Sequence, residues 1–424
     1  MSEIKPFKAV HYDTEKISDL SKVVCPPYDV ISKEQQENYY NNSEYNYIQI
    51  LLGKDKPSDD QKENKYTRAK QAFERWQSQG VLVQDKEPSI YYYRQEYKIM
   101  GQKYTRLGFI SLMKLPDEKD SKIFPHENTH SQAKEDRLKL WRTLSFNCSP
   151  IFVCFSDKTK TVEKIFKKNI LTSAPLVNIV DDDGVRHILW KLSDPALLQE
   201  MTTALTAQEL FIADGHHRFE VAREYRKWRR SMVQKSNGDE SYNYVTTYFT
   251  NMDSKDLKIL PIHRIIPKLS PAIKGLEFFE EFFRIDKIKS KDNLLILLAK
   301  AGQNEHAFGL YKKGEIVLLR LKNKLLIEKY LKEGSREYRS LDATILKGFV
   351  LDRAGIKSEE ITYTHDFQKA TYMVDEGQAE AAFIMNPVKI QQLKAIALNE
   401  ERMPPKTTYF YPKVLSGLTI YKME

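Results

Sequence analysis

A chain of 424 residues, 41% hydrophobic and 29% charged, holds enough apolar material for two or three domains with buried cores. It has no run of about eighteen apolar residues and opens on Met1-Ser2-Glu3-Ile4-Lys5-Pro6-Phe7, so neither a membrane span nor a secretory leader is expected and the address reads as cytoplasmic. The net charge of +9 is spread along the chain with lysines often beside acidic residues, which fits a soluble anionic substrate better than a nucleic-acid face.

In chain order, Ile4–Val10 reads as an opening strand and Ser21–Val24 as a second short run. Cys25-Pro26-Pro27-Tyr28-Asp29-Val30 cannot be helical, because each proline removes a donor and restricts its predecessor, so it is a stiff loop presenting Tyr28 and Asp29. The three cysteines, Cys25, Cys148 and Cys154, fit a reducing interior and form no metal-type spacing. Residues 58–80 carry a helical stripe of Tyr66, Ala69, Ala72, Phe73 and Trp76 that ends near Gly80. Ser89–Lys98 and Gln102–Leu112 form an expected hairpin about Met100-Gly101. A turn at Phe124–Thr129 precedes a charged helix through Asp136, Arg137 and Trp141. Pro150–Ser156 is a short buried strand, and residues 176–193 a strand pair about Asp182-Asp183-Gly184. The apolar run Leu210-Phe211-Ile212 leads into a helix from His216. Tyr244–Thr250 and Leu257–Arg264 follow as apolar strands. From about Ser270 the text changes to long amphipathic helices with lysine-rich connections, until the motif-like tail Met403–Lys413. The expected fold is mixed α/β (α+β), a mixed sheet with flanking helices. Its domains are a phosphate-binding catalytic core at 1–270, a helix-rich α/β region at 271–400, and a tail at 401–424 that returns to the active site.

The most informative stretch is 213–222, which runs from Ala213 through Asp214, Gly215, His216, His217 and Arg218 to Phe219 and Ala222. Asp214 and Gly215 punctuate a strand end, and two imidazoles and a guanidinium then fall on the first turn of a helix. Unpaired N–H groups and the helix dipole already favour an anion there, and Gly215 lets a ligand approach the backbone closely. A phosphate site is the leading reading. An ordinary N-cap on Asp214 and a transition metal on Asp214, His216 and His217 compete with it, although adjacent helical residues point about 100° apart and share one ion poorly.

Four further segments carry reactive groups. Glu127, in Pro125-His126-Glu127-Asn128-Thr129, is either a general base or magnesium ligand, or part of a helix start capped by Asn128 or Thr129. Asp29 either holds a metal or an acceptor hydroxyl, or belongs to a rigid turn. His263-Arg264 sits at a strand end, where ligands gather in α/β sheets, or is plain surface charge. Lys406, Thr407 and Lys413 either clamp phosphate oxygens or decorate a proline-rich loop. The basic stretch Arg223–Arg230 either forms a solvated helix face or raises the local positive potential. No nucleophilic triad and no Walker-type loop appears.

The order of Ile4-Lys5-Pro6-Phe7, Pro26-Pro27-Tyr28-Asp29-Val30, His126-Glu127-Asn128-Thr129, Ala213–Arg218, Pro261-Ile262-His263-Arg264 and Met403–Thr408 resembles a prokaryotic family catalogued as a domain of unknown function, number ten-fifteen. The box at 213–222 is also similar to the phosphate-binding box of the ParB and sulfiredoxin superfamily, to which free serine kinases belong. This resemblance implies a ParB/sulfiredoxin-like catalytic core. It implies phosphorylation of free L-serine to O-phospho-L-serine in cysteine or serine metabolism, with pyrophosphate, or less readily ADP or ATP, as donor. Under that reading Gly215, His216, His217 and Arg218 hold the donor, and His263, Lys406 and Thr407 complete the anion pocket. Asp214 or Glu127 lies by Mg²⁺. Glu127, and second Asp29, takes the serine proton. A non-catalytic ParB-like nucleotide-binding regulator and a pyrophosphate or nucleotide hydrolase are the alternatives. Oligomeric state does not follow from the sequence.

Overall fold

Pro6 has no N–H to contribute to a ladder, so the expected opening strand divides. Its first part is β1 (Ile4–Lys5); the second, Val10–Tyr12, pairs elsewhere, with Leu82–Gln84. The computed structural model describes residues 3–117, 122–127, 131–170, 173–206, 208–233, 235 and 237–423. Asn128 and Thr129, expected as caps, lie outside the described residues. At Ser21–Val24 the chain makes a short 3₁₀ turn over Leu20–Lys22 instead of a strand, because the Asp19 carboxylate accepts the Ser21 N–H and caps it.

The helix expected over 58–80 is shorter, α1 (Lys65–Ser78). The Asn64 side chain accepts the N–H groups of Tyr66 and Thr67, and the Asp60 carboxylate accepts those of Lys62 and Glu63, which ties the preceding residues into turns. The hairpin forms as expected, β2 (Ile90–Ile99) and β3 (Gln102–Lys114), with Met100 at φ 49° and Gly101 at φ 79°. Both turn residues are left-handed, as a two-residue turn between right-twisted strands requires.

By contact the chain divides into two compact units. The first comprises the described residues of Met1–Pro125, Thr129–Leu257 and Pro412–Glu424. Its nine-stranded mixed sheet adds β4 (Ile123–Phe124), β5 (Ile151–Phe155), β6 (Val177–Val180), β7 (Arg186–Leu192), β8 (Leu210–Asp214) and β9 (Tyr244–Asn251). The order is β4-β8-β5-β9-β3-β2-β7-β6, with β1 paired to β3. The β4–β8 and β5–β9 pairs are parallel and the others antiparallel. Every residue of β5 is buried, as a strand covered on both faces should be. The helices of this unit include α2 (Ser131–Leu144), α3 (Thr161–Ile170) and α4 (His216–Arg230).

The second unit holds His126–Asn128, where described, and Lys258–Tyr411. The expected single strand Leu257–Arg264 is broken by Pro261 into β10 (Lys258–Leu260) and β11 (His263–Ile266). A six-stranded antiparallel sheet follows, built with β12 (Phe283–Lys287), β13 (Ala307–Lys312), β14 (Glu315–Leu321), β15 (Thr362–Thr364) and β16 (Ala381–Ile384) in the order β12-β14-β13-β16-β11-β15. Alternate residues feed two cores: Leu319 and Phe383 pack with Phe282 and Phe349, and Leu318 and Ala382 with Leu294 and Leu298. The long helices expected after Ser270 are therefore short, the longest among the described residues being the 11-residue Lys291–Ala301, and they alternate with strands.

The unit boundary falls at Leu257, not 270, because β10 pairs with β17 (Tyr409–Tyr411) and β11 joins the second sheet. The tail expected as one piece is divided: Tyr411 ends the second unit and Pro412 begins the last segment of the first. Among the described residues no helix is long and apolar enough to cross a membrane.

Candidate functional site

The ladder between β8 and β5 shifts register between Ile212 and Asp214, a bulge that re-aims the last residue of the strand. Gly215 follows at φ 88°, ψ 30°, and α4 begins at His216. Gly215 itself is the N-cap residue, and among the described residues no side chain caps this helix. Asp214 is thus not an N-cap: its Oδ1 accepts the adjacent Gly215 N–H, at 2.9 Å.

Two cations converge on Asp214. Lys413 Nζ donates to Oδ2 at 3.0 Å, and Arg218 Nη2 lies 3.6 Å from the same oxygen. Burial alone would raise the Asp214 carboxyl, but Lys413, Arg218 and the Lys413 hydrogen bond outweigh it and hold the group well below the usual carboxylate range. Its folded value lies below the unfolded one. The group therefore contributes stability that is complete above about pH 4 and is lost as pH falls through the folded value.

Arg218 does not simply project from the first turn. It folds back under Gly215, with Nη1 donating to the Pro150 carbonyl and Nη2 turned toward Asp214. A Cβ on Gly215 would stand 3.0 Å from the Arg218 Cζ. We expect Gly215→Ala to cost about 1–2 kcal/mol from the left-handed backbone alone, and more by pushing the guanidinium aside. Urea unfolding of the variant checks it.

His216 is buried in this turn and His217 half-buried on the next position, so the two imidazoles diverge. No group of three or more His, Cys, Asp or Glu residues with metal-site geometry occurs among the described residues. Tyr28 stands close enough to feel the Arg218 and Asp214 charges, while Asp29 beside it is exposed. Burial, with Asp29 adding to it, pushes the Tyr28 phenol up to about 12 against the pull of Arg218 and Arg137. The Arg137 guanidinium of α2 packs on the Tyr28 ring with 4.5 Å to the centroid, and the Asp136 carboxylate accepts from its Nε at 2.8 Å.

The backbone that carries Lys413 is clamped by two residues that sequence reasoning missed. Gln95 Nε2 donates to the Lys413 carbonyl at 2.8 Å and Arg106 Nη2 to that of Pro412 at 2.5 Å. Arg106 Nε donates to Gln95 Oε1 at 3.0 Å, and its guanidinium lies over the Phe152 and Tyr248 rings. A signal existed: once the turn is placed at Met100-Gly101, counting back along both strands puts Gln95 opposite Arg106. The basic stretch Arg223–Arg230 is partly structural, with Arg226 donating to the carbonyls of Leu115 and Pro116 at 2.7 Å each.

The remaining expected residues belong to the second unit. The Met403 N–H donates to the His126 carbonyl at 2.7 Å, and that of Lys406 to Glu127 Oε1 at 3.2 Å. Lys406 is exposed in a left-handed turn at φ 55°. Arg264 Nη2 donates to the Lys406 carbonyl at 3.3 Å, so Glu127, Lys406 and Arg264 meet at one turn. The Thr407 hydroxyl is engaged within that turn by the Pro404 carbonyl.

His263 is placed differently from expectation. It is buried, its Nδ1 accepts the Met385 N–H at 3.1 Å, and burial, helped by Arg264, pushes it down to about 4. It is neutral at pH 7 and offers no charge to a phosphate. Since its folded value lies below the usual 6.5, the unfolded chain binds the extra proton and stability falls as pH drops from about 6.5 to about 4, by roughly 3 kcal/mol in all. His263→Asn, which keeps an acceptor for Met385, should flatten that slope in urea midpoints measured at pH 7 and pH 4.5.

Fold and site together define a mixed α/β protein in which, among the described residues, no side chain caps a helix start that adjoins a half-buried carboxylate and two cations. The chain belongs to the family described as Protein of unknown function (DUF1015), whose model matches residues 4–344. No curated protein matches it. Among solved structures it is similar to a conserved hypothetical protein from Pyrococcus furiosus (13% identity, 71% of this chain and 90% of that one, TM-score 0.34). It is also similar to a free serine kinase in complex with AMP (14%, 71% and 86%, TM-score 0.33). A third is SbnI with a C-terminal truncation from Staphylococcus aureus (10%, 72% and 85%, TM-score 0.37).

Proposed function

We propose that the chain is a phosphotransferase that moves a phosphoryl group from pyrophosphate to the hydroxyl of free L-serine, giving O-phospho-L-serine. The observation that carries the reading is the Asp214-Gly215-His216 turn, a helix start with no side-chain cap among the described residues, flanked by Lys413 and Arg218. Phosphoryl transfer asks a protein chiefly for positioning and for neutralisation of charge spread over the phosphate oxygens. The α4 N-terminus with Lys413 and Arg218 Nη2 offers donors of that kind, and the clamp of Gln95 and Arg106 fixes where Lys413 sits.

In the transfer the serine hydroxyl oxygen bonds to one phosphorus, the bridging P–O bond breaks, and orthophosphate leaves. The hydroxyl proton passes to a carboxylate. Asp214, held ionised by its cations, is a poor base, which leaves Glu127 as the first candidate and Asp29 as the second. Magnesium, when bound, would neutralise donor oxygens. Asp214 of the first unit, or Glu127 of the second, is the oxygen ligand proposed for it, a hard donor that suits this ion. With Lys413 already on Oδ2, Asp214 has little room for more than one further ligand bond.

The test offers L-serine and Mg²⁺ with pyrophosphate, ADP or ATP in turn and follows O-phosphoserine by mass spectrometry. Product with pyrophosphate supports the proposal in full, and product with ADP or ATP alone corrects the donor. Orthophosphate released without phosphoserine would mark a hydrolase, and nucleotide binding without turnover a regulator. Glu127→Gln and Asp29→Asn then discriminate the two bases, the true one losing about a hundredfold or more in kcat.

A further inference from the structure

Three polar side chains form one buried row across the sheet of the first unit. His187 of β7 stands opposite Gln95 of β2, and Gln95 opposite Arg106 of β3, and all three are fully buried. Such a row is costly unless each member is hydrogen-bonded. Gln95 and Arg106 spend bonds on the carbonyls of Lys413 and Pro412. His187 bonds to side chains instead, at both ring nitrogens.

The partners assign the protons in this row. Asp181, at the turn between β6 and β7, accepts the N–H groups of Asp183 and Val185 on Oδ1 at 3.0 and 2.8 Å. Its Oδ2 stands 2.9 Å from His187 Nε2. A carboxylate only accepts, so Nε2 carries the proton. Burial, with the Arg106 charge adding to it, outweighs Asp181 and holds the imidazole below its usual range. The ring is therefore neutral at pH 7 and Nδ1 is bare.

Two donors meet that bare nitrogen, the Tyr93 hydroxyl at 2.5 Å and Gln95 Nε2 at 3.4 Å. The Gln95 amide cannot be turned the other way, because Arg106 Nε, at 3.0 Å, and Nη2 both donate to its Oε1. Its Nε2 thus serves His187 with one proton and the Lys413 carbonyl with the other. Tyr93 also borders the tail: burial pushes its phenol well up, and the Leu415 N–H pulls against that rise.

We propose that His187 is a positioning residue for Lys413. Asp181 fixes its tautomer, and its bare Nδ1 takes the protons that orient Gln95 and Tyr93 against the tail. A proton on Nδ1 would face the Gln95 N–H and the Arg106 charge, and Gln95 would have to give up either Arg106 or the Lys413 carbonyl. Lys413 would then lose its fixed reach to Asp214. Any consequence for turnover rests on the phosphotransfer reading; the placement of Lys413 does not.

Asp181→Asn inverts the tautomer. The N–H groups of Asp183 and Val185 still require an oxygen at the Oδ1 position, so the amide nitrogen faces Nε2, which must accept, and the ring proton moves to Nδ1. Long-range ¹H–¹⁵N spectra of the full chain with ring-labelled histidine read this directly, the His187 signals being those lost in His187→Gln. The wild-type protein should show a protonated Nε2 and a bare Nδ1, and the variant the reverse. Hydrogen exchange followed by mass spectrometry should show residues 412–416 opening about fivefold or more faster in the variant, the equivalent of one hydrogen bond near 1 kcal/mol, with α3 and β9 unchanged. Where phosphoserine is formed, kcat/KM should fall by a similar factor. A chain without turnover on any donor fails the phosphotransfer reading alone, since neither spectrum nor exchange depends on it. A proton on Nδ1 of the wild-type protein, which is decisive even should the variant fold poorly, would overturn the proposal. So would an inverted tautomer with unchanged tail exchange, or exchange that rises alike throughout the first unit.

Discussion

Asp214→Asn is expected to destabilise the first unit by about 3–5 kcal/mol, the cost of leaving buried cations without their counter-charge. The amide oxygen can still accept the Gly215 N–H, so the turn geometry survives and the loss is electrostatic. Lys413 and Arg218, with side chains only 12% and 5% exposed, have no easy route to water once the carboxylate is gone. Lys413→Met in the same background should recover part of the loss, because one of the two stranded charges is then removed. A double-mutant cycle by urea unfolding measures this coupling. A single-variant loss under about 1 kcal/mol would mean that water or a rearranged side chain reaches the triad, and that Asp214 does not organise the site.

The second large effect concerns Arg218. Arg218→Ala should lower kcat/KM for pyrophosphate by about a hundredfold or more, the cost of losing one well-placed donor to the transferring group, on the order of 3 kcal/mol. The guanidinium also holds the Pro150 carbonyl, so a purely structural role would lower activity too. Two readouts separate the cases. Millimolar guanidinium should restore part of the rate to the variant if the missing group touches substrate, and the loss should sit in kcat as well as KM. An unrescued loss that tracks the fall in thermal midpoint would assign Arg218 to structure.

Much of the local fold was legible because it depends on single residues with narrow backbone options. Met100-Gly101 set the hairpin and its register, and Asp214-Gly215 marked the start of α4. What was not legible depends on distant partners or on competing local bonds. The helix stripe from residue 58 was cut at Asn64 because side-chain oxygens of Asp60 and Asn64 took backbone N–H groups that a longer helix would have needed. Pro261 divided a strand whose apolar pattern ran through it, and the two pieces entered different sheets. The helix-rich region after Ser270 hid five strands in short apolar runs, which periodicity alone separates poorly from buried helix.

The site shows the same division. The strand end at Asp214, the turn at Gly215 and the helix start at His216 were readable from their own residues, but the Lys413–Asp214 pair spans 199 positions and no local pattern announces it. His263 shows how a strand-end position misleads. All four residues of its strand are buried, Arg264 included, and the apolar Ile262, Ile265 and Ile266 around it were the available sign of a core histidine. Arg218 was expected to hold the phosphoryl donor; its packing under Gly215, where the missing Cβ leaves room for it, was not foreseen.

The central claim is that the serine hydroxyl attacks a phosphate held at the start of α4. Serine carrying ¹⁸O in its hydroxyl, incubated with the protein, Mg²⁺ and pyrophosphate and followed by ³¹P NMR, tests it most directly. Transfer as proposed gives one orthophosphate per phosphoserine, with the label retained in the bridging oxygen and visible as an isotope shift of the phosphoserine resonance. Orthophosphate accumulating with no phosphoserine resonance, or no change in pyrophosphate at all, would contradict it.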